Sequence, residues 1–405
     1  MLGQRYAWLA ASMVLAATTP ALADTVVKVG IINTFSGPNI GQGIVLEKGL
    51  QLYYKLHRQD LPAGVSIELV ERDDTGAHPD IAKRLAEELV VRDHVRVLGG
   101  IVWSPNGMAV APVATQAKVP FVDMNAAAMT IPKSPFTIRT SFTLTQETYP
   151  LGKWAAAHGY RKVYTAVSDF APGQEGRDAF RKGFTEGGGQ IVGEVTFPAP
   201  PNVVDFAPFL LRIKDSHPDA VYIFVPGGPT ATQLMKAAAD VGLQAAGIHL
   251  ISTEDLVPDE ELGNIGDQVV GLITSGIYSA DGVRPANQAF VAEWLKEYHD
   301  GTKPDFESAD AWDGMNAIFD LVRATGGNFT GDEAMKFLSN WKTADSPKGP
   351  VMIDPVTRNI IQNVYLRRIE KDGGKLVDME FDTFPMLNQD GVPTGLAPPA
   401  PAARP

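Results

Sequence analysis

The sequence predicts an α/β protein of two lobes, each a parallel sheet covered by helices on both faces. Three observations predict it. At 405 residues the chain exceeds what one small core uses and accommodates two lobes. Short apolar strand patterns alternate with amphipathic helix patterns, which is how a covered parallel sheet reads. The alternation then restarts near Thr148 without any close sequence repeat, so the architecture recurs while the residues do not. With 44% hydrophobic and 20% charged residues, the composition is that of a core-forming chain rather than a disordered one.

In the first half, Val26 to Ile32 reads as a buried strand and leads into a loop, Asn33 to Gly43. Leu46, Leu50 and Leu52-Tyr53 mark a helix, and Val65 to Val70 a second strand. Pro79 opens the next helix at a position where its missing N–H costs nothing, with Ile81, Leu85 and Leu89 as the apolar stripe. Val95 to Ile101, a helix at Ala109 to Ala117, and Val119 to Met124 complete this half.

In the second half, helices at Thr148 to His158, Gly176 to Thr185, Phe206 to Asp215 and Ala231 to Val241 alternate with strands. Those strands are Val163 to Ser168, Ile191 to Phe197, Ala220 to Val225 and Ile248 to Ser252. Gly187-Gly188-Gly189 is a strong helix stop. Beyond Val269 to Ser275 come long helices, one striped by Phe290, Trp294 and Tyr298, another by Trp312, Met315, Phe319 and Val322. Thr330 with Glu333 forms a capping box, and strand patterns return at Val351 to Ile353 and Asn363 to Ile369. From residue 389 the Pro, Ala and Gly content predicts a disordered tail, 389–405.

The N-terminus has the form of a removable export signal. Arg5 precedes a short apolar run, Leu9 to Ala17, and Ala21-Leu22-Ala23 gives a small-x-small cleavage pattern, so residues 1–23 would leave and Asp24 would begin the mature chain. The run is shorter than the ~20 residues a membrane-spanning helix needs. There is no cysteine, which excludes disulfides, thiolate metal sites, cysteine nucleophiles and a lipidated N-terminal cysteine. The net charge of -12 disfavours nucleic acid and anionic lipid as partners.

No catalytic constellation is visible. The sequence lacks a Gly-x-Ser-x-Gly elbow and a His-Glu-x-x-His pair, and its seven histidines are spread without metal-ligand spacing. Asp73-Asp74 is a candidate carboxylate pair, but adjacent side chains after a strand point in different directions. The reading is therefore of a non-enzyme with no cofactor and no metal. Gly37 to Gly43 has neither the Walker ending nor Gly-x-Gly-x-x-Gly spacing. It nonetheless follows the first strand and opens the first helix, where helix N-termini aimed into a crevice bind small anions. Loops in equivalent positions are Trp103 to Asn106, Asn125 to Ala128, Ser168 to Gly173, Val225 to Gly228, and Ser252 to Asp255.

Taken in order, these marks resemble the leucine–isoleucine–valine-type (type I) periplasmic substrate-binding proteins of ABC importers. The resemblance runs over residues 26–385 and is carried by Val29-Gly30, Ser36-Gly37-Pro38, Gly49, Val119-Pro120-Phe121-Val122, Asp205-Phe206, Asp219 to Tyr222, and Val241-Gly242-Leu243. It implies two Rossmann-like lobes joined by a three-segment hinge near residues 146, 276 and 354. The N-terminal lobe would be 24–145 plus 276–354 and the C-terminal lobe 146–275 plus 355–388. Closure about that hinge would bury a ligand.

The resemblance also implies a ligand site. Ser104 would bond a ligand carboxylate together with amides of Asn125, Ala126 and Ala127. Glu254 falls where amino-acid binders place the acid for the α-ammonium. Phe35, Asn39 and Gln42 of the first loop, with Pro226 and Gly227, would complete the wall, and Trp103, Phe170 and Tyr278 would be its apolar surfaces. Ala127, Gln42, Pro172 and Gly227-Gly228 stand where amino-acid binders carry larger residues, which implies a carboxylate bulkier than leucine. The expected function is capture of a small hydrophobic or aromatic carboxylate or amino acid by a monomer in the periplasm, for delivery to inner-membrane permease subunits. A periplasmic ligand-sensing subunit for a membrane receptor is the alternative.

Overall fold

The computed structural model describes residues 24–199, 205–259 and 261–400. The expected export signal, with its cleavage after Ala23, lies outside the described residues. The chain begins with β1 (Thr25–Asn33), α1 (Ile40–His57), β2 (Val65–Asp73), α2 (Pro79–Val91), β3 (Val97–Gly100), α3 (Ser104–Ala117), β4 (Phe121–Asp123) and β5 (Thr137–Arg139). These five strands form one sheet in the order β2-β1-β3-β4-β5, parallel throughout. Val27, Val29 and Ile31 of β1 and Val97 and Leu98 of β3 are fully buried, as strands covered on both faces must be.

The second series is α4 (Leu144–Ala157), β6 (Lys162–Ser168), α5 (Ala171–Glu186), β7 (Gln190–Phe197), α6 (Ala207–Asp215), β8 (Ala220–Phe224), α7 (Pro229–Val241), β9 (His249–Thr253), α8 (Leu262–Ile265) and β10 (Ile273–Gly276). After it come α9 (Pro285–Glu297), α10 (Phe306–Thr325), α11 (Gly331–Leu338), β11 (Lys342–Thr343), β12 (Val351–Ile353), β13 (Ile360–Asp372) and β14 (Lys375–Leu387). Strands β7-β6-β8-β9-β10 are parallel neighbours, but β13 joins β10 antiparallel and β14 pairs with β13 antiparallel. The second sheet is thus mixed rather than parallel throughout, because the chain re-enters it from the opposite end by a hairpin.

Each sheet changes winding direction once, between β1 and β3 and between β6 and β8. In open α/β sheets ligands bind in the crevice outside the strand ends at such a switch. The N-terminal sheet's core also takes in Met315, Phe319 and Val322 of α10 and Leu338 of α11. Both helices start on capping boxes, Asp305 with Ser308 and the expected Thr330 with Glu333. Helices α1 and α10 cross where Gly49 lies: a Cβ added there would sit 2.2 Å from the Ser308 carbonyl oxygen. Gly49→Ala is therefore expected to separate the pair and cost about 1–3 kcal/mol, read as a lower denaturant midpoint at unchanged slope.

The chain leaves the first sheet for the second after β5; β11 and β12 pair onto β13 of the second sheet, and the passage after β5 is sewn to β13 and β14. Gln146 Nε2 donates to the carbonyls of Ile360 (3.2 Å) and Leu387 (2.9 Å), while Gln362 Nε2 donates to the Ser141 carbonyl (2.8 Å) and to Gln146 Oε1 (3.1 Å). The tail expected to be disordered from residue 389 instead begins as a turn held to β14. The Asn388 N–H donates to the Val392 carbonyl at 3.0 Å and the Thr394 N–H to that of Met386 at 3.1 Å. Backbone pairing with a strand edge orders a segment whose composition alone suggests none. Among the described residues, no helix is long and apolar enough to cross a membrane.

Candidate ligand-binding site

Loops after β1, β3, β6 and β8 converge from the two switch points. The first, Thr34 to Asn39, is shaped by the Asp73-Asp74 pair. The Phe35 N–H (2.9 Å) and Ser36 Oγ–H (2.6 Å) donate to Asp73, and Thr34 Oγ1–H donates to Asp74 (2.8 Å). Asn106 Nδ2 reaches Asp74 Oδ2 at 2.7 Å, tying this loop to α3. The acid pair is scaffolding. Gly37 takes φ +89°, and a Cβ there would lie 2.8 Å from the Thr75 carbonyl oxygen, so glycine is required for the close approach.

Helices α3, α5 and α7 begin within these loops, each with a proline in its first two positions. Proline fits the first turn because that N–H has no intrahelical partner. The N-termini of α3 and α5 therefore lie five residues earlier than the sequence reading placed them, at Ser104 and Ala171, and so reach the crevice. The remaining N–H groups and the helix dipoles there favour an anion. Ser104 Oγ accepts the Ala128 N–H at 3.1 Å, which leaves its hydroxyl proton free to donate.

Between the loops lies a cavity, open on one side, whose empty space counted out into the solvent at its mouth is about 380 Å³. Seven residues expected at the site line it: Gln42, Trp103, Ser104, Asn125, Ala127, Phe170 and Pro226. The sequence reading missed the rest of the wall. Val102, Phe142, Leu144 and Phe224 come from strand ends and the first crossover, and Asp255 from the loop after β9; Pro172, noted earlier only for its size, is there as well. Phe170 and Phe224 stack at 6.1 Å between centroids and 21° between planes. Three buried polar atoms of the lining residues have no partner among the described residues: Trp103 Nε1, Asn125 Oδ1 and Gln42 Oε1. Buried polar groups are normally paired, and in a cavity a ligand supplies the partner.

Six expected residues do not line the cavity. Ala126 packs into the first lobe's core, and Phe35 is half-buried in its loop. Asn39 and Gly227 stand at the seam between lobes. A Cβ at Gly228 would lie 3.6 Å from Asn39 Nδ2, and one at Gly227 would lie 3.4 Å from Gln42 Nε2 and 3.1 Å from the Asp255 carbonyl oxygen. The room expected from Gly227-Gly228 is therefore filled by those neighbours rather than opened to a larger ligand. Tyr278 is fully buried against Phe290, behind the wall.

Glu254 is fully buried, and its Oε2 accepts the N–H groups of Ile277 (3.0 Å) and Tyr278 (3.3 Å). It ties the end of β9 to the chain leaving β10 and does not line the cavity. The acid that lines the cavity is its neighbour Asp255, whose Oδ2 accepts the Thr253 hydroxyl at 2.9 Å. Burial pushes the Asp255 carboxyl up to about 6, opposed by the Thr253 hydroxyl. Behind it, Arg367 Nη1 lies 2.8 Å from Asp378 Oδ2 and 3.4 Å from Glu254 Oε2. Burial pushes Glu254 up to about 8 and Asp378 up to about 6 despite this guanidinium, and it raises Glu147 and Asp259 as well.

The lobes touch through a further hydrogen bond. The Met129 N–H, in the loop after β4, donates to Glu175 Oε2 of α5 at 3.1 Å. Two doubly wound halves with loops meeting around a cavity match one group of known proteins. Residues 26–375 match the family model described as periplasmic binding protein. The chain belongs to this periplasmic binding protein family. A curated relative, the Leu/Ile/Val-binding protein homolog 6 of Brucella melitensis biotype 1, is 39% identical over 93% of this chain and 96% of its own.

Among solved structures, an ABC transporter solute-binding protein from Rhodopseudomonas palustris BisB5, in complex with 3,4-dihydroxybenzoic acid, is 41% identical with a TM-score of 0.85. That likeness covers 91% of this chain and 99% of the other. A second R. palustris solute-binding protein, in complex with 4-hydroxybenzoate, is 40% identical over 90% of this chain and 98% of its own, also at 0.85. A leucine-binding protein from Thermotoga maritima, 21% identical with a TM-score of 0.77 over 89% of this chain and 99% of its own, shares the fold. Periplasmic binding proteins are a solute-binding class, and the type I fold expected from the sequence is the one this chain has.

Proposed function

We propose that the chain is the periplasmic solute-binding component of an ABC importer and that its interlobe cavity takes a small aromatic carboxylate. The observation that carries this is the composition of the cavity wall. Rings of Trp103, Phe142, Phe170 and Phe224 face a space into which Ser104 and the α3 and α5 N-termini present donors. The two R. palustris neighbours, with hydroxylated benzoates in their structures, support the same ligand class.

In this reading 24–145 with 276–354 and 146–275 with 355–388 close as two lobes about the crossovers near 146, 276 and 354. The Gln146–Gln362 stitching holds two crossovers in register, and the Met129–Glu175 bond marks the closed state. The closed surface is then what permease subunits read. A carboxylate, a few N–H and O–H donors and an apolar wall suffice for affinity around micromolar, about −8 kcal/mol. A thermal-shift panel of benzoates, phenyl-substituted acids and aliphatic amino acids tests the reading. Benzoates should raise Tm with concentration, and a panel in which only aliphatic amino acids do so would refute it.

A further inference from the structure

Gln42 and Asp255 are cavity-lining polar residues that the capture of a carboxylate does not use. They come from different lobes, Gln42 from the start of α1 and Asp255 from the loop after β9; the Gln42 amide nitrogen and the Asp255 main-chain carbonyl both approach Gly227, and both side chains line the cavity. The Gln42 amide is oriented by its neighbours. Its Nε2 donates to Glu307 Oε1 at 3.0 Å, so its Oε1 is the remaining face, and that oxygen is buried without a partner among the described residues. Asp255 adds a carboxylate to the same part of the wall, with Oδ2 already accepting from Thr253. This part of the cavity is thus rich in acceptors and poor in donors.

Its electrostatic surroundings point the same way. Asp255 lies within interaction range of the buried acids Glu147, Glu254 and Glu307, whose own protonation it disturbs. An anionic ligand group placed there would face an acid and an amide oxygen rather than a donor. The ligand's carboxylate is therefore directed to Ser104 and the helix N-termini, and whatever lies elsewhere on the ring faces Gln42 Oε1 and Asp255. A bare C–H edge would leave a buried amide oxygen and a carboxylate unpaired, whereas a ring hydroxyl supplies the missing donor.

We propose that Gln42 and Asp255 form a hydroxyl-accepting subsite that makes a ring-hydroxylated aromatic acid, rather than the unsubstituted acid, the preferred ligand. The proposal rests on the aromatic-carboxylate reading above and adds to it which ring substituent is read and by which residues. Sites built to bond a ligand hydroxyl reject the analogue lacking it far more strongly than apolar pockets reject a missing methylene.

Titration calorimetry of the full mature chain with benzoate, 4-hydroxybenzoate, 3,4-dihydroxybenzoate and 4-methoxybenzoate, on the wild type and on Asp255→Ala and Asp255→Asn, tests it. The expected result is at least tenfold tighter binding of a hydroxylated acid than of benzoate by the wild type. The methoxy acid, which has the bulk but no donor, should not share the gain. Asp255→Ala should reduce the preference of the hydroxylated acid over benzoate to below threefold. Wild-type affinities for benzoate and both hydroxylated acids within threefold of each other would overturn the subsite and leave the aromatic-acid reading standing. A preference retained in both variants would overturn Asp255's part in it. Binding of leucine or phenylalanine with no heat from any benzoate would overturn both readings, since Asp255 would then be serving an ammonium. The wild-type comparison decides even if a variant fails to fold.

Discussion

Arg367→Met is expected to lower folding free energy by about 3–5 kcal/mol at pH 8 and by less at pH 5. Arg367 is buried, and its guanidinium bonds Asp378, sits beside Glu254 and donates through Nε to Thr274 Oγ1 at 3.2 Å. Glu147 and Asp259 are buried within its field, and neither Glu147 oxygen has a hydrogen-bond partner among the described residues. Methionine fills the volume but leaves these acids without a cation. Their only recourse is to take up protons, which is easier at low pH.

The wild type should already show this slope. Glu254, Asp255 and Asp378 have folded-state values above their ordinary ones, about 8, 6 and 6 respectively, so between pH 4 and 8 the folded state binds more protons than the unfolded. Stability then falls as pH rises through that window. Asp73 and Asp300, both held below the usual carboxylate range, oppose the trend, but both are largely solvated and count for little. Denaturant melts of wild type and variant at pH 5 and pH 8 check the claim. A variant equally destabilised at both values would show that the acids do not depend on the guanidinium.

Ser104→Ala is expected to weaken binding of an aromatic acid about 10- to 150-fold, the range for losing a hydrogen bond to a charged group, about 1.5–3 kcal/mol. Ser104 stands at the first turn of α3, and its Oγ is already fixed by the Ala128 N–H, so the hydroxyl proton is pre-aimed rather than ordered at the moment of binding. Alanine also leaves the Ala128 N–H without that acceptor, so a modest loss of stability should accompany the loss of affinity. Affinity measured well below the variant's melting temperature separates the two effects. Unchanged affinity would place the carboxylate elsewhere in the cavity.

The strand-and-helix alternation carried most of the fold because buried parallel strands write their positions as apolar runs; β1, β6 and β8 are examples. What it did not carry has identifiable causes. The three-residue strand β5 follows Pro132 and Pro135 and is too short to show a period, and β14 is mostly exposed, so its apolar side is sparse. Helix α4 begins at Leu144, four residues ahead of the expectation, because Pro150 hides a helix whose real start is the Thr143 cap on the Gln146 N–H at 3.0 Å.

At the site, loop order located Ser104, Trp103 and Phe170, since each follows a strand at a switch point. Phe142, Leu144 and Phe224 were not legible, because an apolar residue in a strand or crossover carries no mark that separates wall from core. Of the adjacent acids Glu254 and Asp255, it is Asp255 that lines the cavity. Which of two adjacent acids faces the cavity is set by the short turn Glu254–Leu256, not by spacing.

An aromatic acid held between the lobes would be retained by the protein at equilibrium. Equilibrium dialysis of the mature protein against labelled 4-hydroxybenzoate, with unlabelled leucine as competitor, tests it most directly. The account predicts one saturable site per chain near micromolar Kd, untouched by leucine at a hundredfold excess. Absence of saturable uptake, or its complete displacement by leucine, would contradict it.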